Sequence, residues 1–269
     1  MLDLQWVLAY LALGATVGFF AGLFGVGGGG IMVPVLTTLF AAQGVPFEHI
    51  VHMALATSMA AIVITSISSL RAHQKHGAIQ WAIVKGITPG ILLGTFGAAL
   101  VAAYIPSLPL AIFFSVFMAY VSVQMWLNIK PQPSRQLPGP LGLTGVGVGI
   151  GGVSALVAIG GGSLSVPFMT WCNVKIQQAI ATSAAIGLPI ALAGTLGYLI
   201  SGWGEQGLPA YTVGYIYLPA VVLISIVSTL TAPLGAKLAH SLPVAALKKL
   251  FALLLIVLSL KMLHTILTS

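Results

Sequence analysis

Apolar runs follow one another along almost the whole chain: residues 4–40, 53–70, 81–104, 108–129, 141–171, 179–200, 211–235 and 244–263. A helical crossing of a bilayer takes about 20 residues at 1.5 Å each, so most of these runs are long enough to cross once. Only 5% of the residues are charged, against roughly 25% in a soluble domain, so the chain cannot cover a water-facing surface. Nothing in the runs alternates as a transmembrane barrel strand does, and backbone polar groups in lipid must be paired internally. The expectation is an all-α polytopic membrane protein.

The opening MLDLQWVLAY carries an acid where a signal peptide has its basic region, and it reads as a retained helix. Cys172 is the sole cysteine, which excludes an internal disulfide and a cysteine-rich metal site. The net charge of +7 would suggest nucleic acid in a soluble protein. Here the basic residues sit between spans, where they report topology, so no nucleic-acid partner is expected. No cofactor and no metal are called for.

The stretch GVGGGGIMVPVL at 25–36 returns as AIGGGSLSVPFM at 158–169, with Pro34 opposite Pro167. Downstream, ALATSMAA at 54–61 returns as AIATSAAI at 179–186, and Leu108-Pro109 returns as Leu242-Pro243. Three matches in one order, offset by 125 to 134 residues, point to an internal duplication. The halves are 1–129 and 141–269, joined by the proline-rich linker 130–140, KPQPSRQLPGP.

Charge sets the orientation. Arg71, Lys75 and Lys85 share one connection, and Lys130 and Arg135 the next basic one; two crossings between them put both in the cytoplasm. From Lys175, also inside, one span exits to SGWGEQGLP, and the next returns to Lys237. The connection after the first ATS helix is therefore inside and its counterpart is outside. The repeats are inverted, both termini are outside, and each half is a glycine-broken helical hairpin followed by three transmembrane helices. Secondary transporters use this arrangement and bind substrate near the midplane, between the repeats.

Each break is expected to start a new helix inside the bilayer, with Ser163 as an N-cap and Pro34 and Pro167 near the first turn. Such a start aims unpaired N–H groups and a partial positive charge into the protein, a site for an anion. The competing explanation is that the glycines only allow close helix packing. Two related clusters in opposite halves favour the site. Thr57-Ser58 and Thr182-Ser183 enter from opposite faces, and their hydroxyls can donate to an oxyanion or bond their own helix backbones. Arg71 reads as a topology or vestibule residue. His52 can relay protons, although a core or solvated histidine explains it more simply. The tryptophans and Tyr104 and Tyr211 read as an interfacial belt.

On these stretches the chain resembles the TauE/SafE sulfite exporter family, also known as the toluene sulfonate uptake permease family. The resemblance implies a bacterial inner-membrane permease moving sulfite or small organosulfonates, usually outward. Carried onto this sequence, the binding positions are Gly27, Gly28, Gly29, Gly30, Thr57 and Ser58, then Gly160, Gly161, Gly162, Ser163, Thr182 and Ser183. The residues alone lead to an oxyanion between inverted repeats; sulfur comes from the resemblance. The expected partners are a small anion and the bilayer, and a homodimer is compatible with both.

Four rivals differ in class. The Gly25-x-Gly27-x-x-Gly30 spacing matches a dinucleotide fingerprint, but that motif requires a strand–turn–helix unit. An intramembrane serine protease would use Ser163, yet the second half offers only His240 and His264 as bases, both near helix ends. A passive anion channel can share every residue named above. A membrane assembly subunit that transports nothing is disfavoured by the paired breaks. The expectation is a transporter and not an enzyme.

Overall fold

A computed structural model describes residues 3–24, 28–74, 77–127, 134–239 and 244–268. Gly27, Lys75, His76, Lys130, His240 and Leu242-Pro243 lie outside the described residues. The elements are α1 (Leu4–Phe24), α2 (Gly29–Ala42), α3 (Phe47–Gln74), α4 (Trp81–Ala102), α5 (Ser107–Trp126), α6 (Pro140–Val157), α7 (Gly162–Trp171) and α8 (Ile176–Ser201). They continue with β1 (Thr212–Val213), β2 (Ile216–Tyr217), α9 (Leu218–Ala239) and α10 (Val244–Thr268). Among the described residues, eight of these helices are long and apolar enough to cross a membrane. All but α2 and α7 belong to that set.

The run at 4–40 is two helices, and so is the run at 141–171, each parted at its glycines. The run at 211–235 departs from expectation. Its first residues form an antiparallel hairpin, Thr212 opposite Tyr217 and Val213 opposite Ile216, and the helix begins only at Leu218. Gly214 turns the hairpin at φ 56°. A hydropathy window cannot separate such a β-branched and aromatic cap from the apolar helix behind it.

At the centre stand α3 and α8, with 78% and 61% of their apolar windows buried, against 33–39% in the other spanning helices. They run antiparallel: Gly187 faces Ser66, whereas Gly194 faces Met59. The same holds for α5 and α10, where the Ser115 hydroxyl donates to the Ser259 carbonyl at 3.3 Å and Met118 and Leu255 together flank Gly30. Two further pairs run parallel. Gly14, Gly18 and Gly22 of α1 meet Ile224, Ser228 and Ala232 of α9 in turn. Gly90 and Gly94 of α4 meet Thr144 and Val148 of α6. In these two interfaces the glycines serve close packing, since the neighbouring backbone fills the space a side chain would take. Without a hydrophobic drive between helices in lipid, such backbone contact holds them together.

Candidate functional site

The glycines at the two breaks do something different. Gly28 caps α2 at φ 74° and Gly161 caps α7 at φ 82°, equivalent positions in the repeat with the same left-handed backbone. Glycine adopts this conformation without the Cβ clash that penalises other residues. Each cap carbonyl then accepts the first bonds of its helix, Gly28 from Ile31 and Met32, Gly161 from Leu164 and Ser165. Ser163 is thus the second residue of α7 and not its N-cap. Pro34 and Pro167 also sit deeper than expected, in the second turn. There they withhold the N–H groups that the Gly30 and Ser163 carbonyls would otherwise receive.

Both starts pack beside the middles of the two central helices. With 14 and 10 residues, α2 and α7 are about 21 and 15 Å long, short of the about 30 Å of a hydrocarbon core. Gly29 packs on Ile62, midway along α3, and Gly161 on Ile186 and Ile190, midway along α8. The two breaks touch. Ala158, which ends α6 in a left-handed conformation at φ 47°, sets its carbonyl directly against Gly29. Gly160 likewise presents its carbonyl to Gly187 of α8.

Polar groups gather on the second break. Among the described residues, the N–H groups of Gly162 and Ser163, at the start of α7, find no acceptor. The Ser165 hydroxyl lies 2.8 Å from the Gly161 carbonyl, to which it donates, and 2.8 Å from the Ser183 hydroxyl. Sequence reasoning passed over Ser165. Its signal was a mismatch in the repeat, because the equivalent position in the first half is Met32. That substitution explains Ser58, which corresponds to Ser183. Ser58 is fully buried and its hydroxyl has no partner among the described residues.

The threonines of the ATS motifs hold positions that neither expectation named. Thr57 Oγ1 accepts the Tyr217 backbone N–H at 3.1 Å, and Thr182 Oγ1 accepts the Gln80 N–H at 3.0 Å. Tyr217 and Gln80 immediately precede α9 and α4, so each threonine ties down the start of a helix. Each hydroxyl still has its own proton to donate. A second missed residue is Tyr198, fully buried on α8, whose phenol donates to the Ala155 carbonyl at 3.0 Å. It supplies a donor where α6 stops and its last carbonyls lose theirs.

The cationic candidates stand apart. Arg71 is exposed in the last turn of α3, and Lys85 is exposed in the second turn of α4. Arg135 stacks on the Trp171 ring at 5.2 Å, where the linker is fastened to the end of α7 by bonds from the Ser134 and Arg135 N–H groups to the Trp171 carbonyl. His264 is exposed near the end of α10.

Residues 10–262 match the family model described as sulfite exporter TauE/SafE. A probable membrane transporter protein of Haemophilus influenzae is 41% identical over 258 residues, 96% of this chain and 98% of that protein. A probable membrane transporter protein of Methanocaldococcus jannaschii is 29% identical over 234 residues, 85% of this chain and 84% of its own. One of the same description from Bacillus subtilis is 26% identical over 250 residues. No solved structure matches the chain.

Proposed function

For a chain that belongs to the TauE/SafE sulfite exporter family, we propose a secondary permease that exports a small oxyanion, sulfite or an organosulfonate, across a bacterial inner membrane. The anion binds where the two broken hairpins meet. The N–H groups at the starts of α2 and α7 receive it, at Gly28, Gly29 and Gly30 and at Gly162 and Ser163, the Gly161 N–H being given to the Ile159 carbonyl at 2.7 Å. The hydroxyls of Ser58 and Ser183 add donors, with Thr57 and Thr182 holding the neighbouring helices. Helix starts suit an anion because their unpaired N–H groups and dipoles favour negative charge without a lysine or arginine.

The observation that carries this reading is the contact between the breaks: two left-handed glycine caps beside the middles of the central helices, with Gly29 against the Ala158 carbonyl. Helix directions support inverted halves, 1–129 and 141–269. An exchange of α1–α5 with α6–α10 maps the α1/α9 contact onto α6/α4 and pairs α3 with α8 and α5 with α10. A repeat axis along the membrane normal would make those last two pairs parallel. An axis in the membrane plane makes them antiparallel, as they are. Rocking of one half against the other then exposes the site to each side in turn.

The test is flux into proteoliposomes from a panel of sulfite, sulfonates, thiosulfate and carboxylates. Gly28→Val and Gly161→Val should abolish transport while the protein still inserts. Normal flux in both variants would sink the site. Single-channel currents, with flux insensitive to substrate on the far side, would replace the carrier by a channel.

A further inference from the structure

Two of the chain's three acidic residues converge on one histidine, far from the breaks. His49 is buried in the first turn of α3, its Nε2 3.5 Å from a Glu48 carboxylate oxygen and 4.0 Å from one of Glu205. Glu48 belongs to α3, in the first half. Glu205 belongs to the connection between α8 and α9, in the second. Among the described residues neither carboxylate pairs with a lysine or arginine.

The surroundings are built to hold this contact. Tyr215, at the tip of the β1–β2 hairpin, lies 5.8 Å from the His49 ring, and the Glu205 carboxylate helps to hold the proton on its phenol. It also stacks on His52 at 5.2 Å and 28°. His52 is in turn fixed by backbone carbonyls: Nε2 stands 3.0 and 3.1 Å from those of Ala102 and Ile105, and Nδ1 3.0 Å from that of Glu48. Ser107 at the start of α5 donates to the same Glu48 carbonyl at 2.8 Å. The titratable groups facing His49 are therefore Glu48 and His52 on its own helix and Glu205 and Tyr215 on the connection. Of these, only the carboxylates can bring charge opposite to an imidazolium.

We propose that this cluster is a proton-binding site: a proton on His49 bridges Glu48 of one half to Glu205 of the other and latches the α8–α9 connection onto the start of α3. At 3.5 and 4.0 Å the carboxylates are within ion-pair reach and outside a good hydrogen bond, so protonation has contacts left to gain. The proton comes from water, since Glu205 is 42% exposed at its side chain. A latch made by an imidazolium between two carboxylates holds under acid conditions and releases under alkaline ones. Charge orientation puts this end outside the cell, where it would close the outer mouth when the medium is acidic. The proposal does not depend on which anion is carried.

Spin labels at Phe47→Cys and Gln206→Cys, in a Cys172→Ser background, test it in lipid nanodiscs. Both positions are exposed, and they flank the contact between Pro46 and Gly207. From about pH 5 to about pH 8 the ratio of short to long label distances should fall about fivefold, the worth of one ion pair at a protein surface. Glu205→Gln, on an exposed connection that does not build the core, should remove the shift, and His49→Gln should leave the long distance at both pH values. Identical distances at the two pH values in the unsubstituted chain, or a shift that survives Glu205→Gln, would overturn the proposal.

Discussion

Alanine at Gly161 separates a backbone cap from a mere packing glycine. At φ 82° a Cβ costs about 1–2 kcal/mol in backbone strain. The same Cβ would stand 2.7 Å from the Ile190 Cδ1 methyl, and overpacking of that kind costs about 1–3 kcal/mol. Together the loss is about 2–5 kcal/mol. Gly149 of α6 is the control, because a Cβ there meets nothing within 4 Å. Gly149→Ala should stabilise by about 0.5–1 kcal/mol through its helix propensity. The assay is reversible unfolding of the purified protein in mixed micelles with increasing dodecyl sulfate. Ile190→Val removes the clashing methyl and alone costs about 0.5–1.5 kcal/mol. Added to Gly161→Ala, it should restore the overpacking share and leave the strain. Equal stability of the Gly161 and Gly149 variants would refute the cap, and additive losses in the double variant would refute the clash.

Removing the Thr57 hydroxyl with valine strands the buried N–H of Tyr217, which should cost about 1–3 kcal/mol in the same assay, and Thr182→Val, which strands the half-buried N–H of Gln80, should cost less. Serine at either position should recover most of it. Tyr198→Phe leaves the Ala155 carbonyl without its donor and should lose about 1–3 kcal/mol, a loss absent from Tyr120→Phe on the exposed face of α5. Burial, with Glu205 and Glu48 adding to it, pushes the Tyr215 phenol from 10.0 up to about 12. The folded state then holds this proton more tightly than the unfolded one, so the contribution is complete below about pH 10 and lost as pH rises to about 12. Stability measured across that window should decline less in Tyr215→Phe than in the unsubstituted chain.

The breaks were legible because the repeat shows them twice. One run such as GVGGGG is indistinguishable from a packing stripe, and Gly14, Gly18 and Gly22 are indeed a stripe. The echo at 158–169 marked Gly28 and Gly161 as a pair, and both carry the same positive φ. The ATS threonines were legible as a pair and not in their role, since their partners lie 160 and 102 residues away and are backbone N–H groups, which no side-chain pattern records. Ser165 hid behind its apolar counterpart Met32, and nothing in the sequence sets Tyr198 apart from the other aromatics of apolar runs. The hairpin at Thr212–Tyr217 was lost inside an apolar run whose strand is two residues long on each side. Long-range placement, and not local propensity, decides each of these.

The most direct measurement locates the anion itself. Selenite matches sulfite in charge and shape and scatters anomalously, so crystals grown with it would reveal its position. Anion binding at the breaks puts a peak between them, within about 2.7–3.2 Å of N–H groups at the starts of α2 and α7. A peak confined to the exposed cations Arg71, Lys85 or Arg135, with the breaks packed shut, would contradict it.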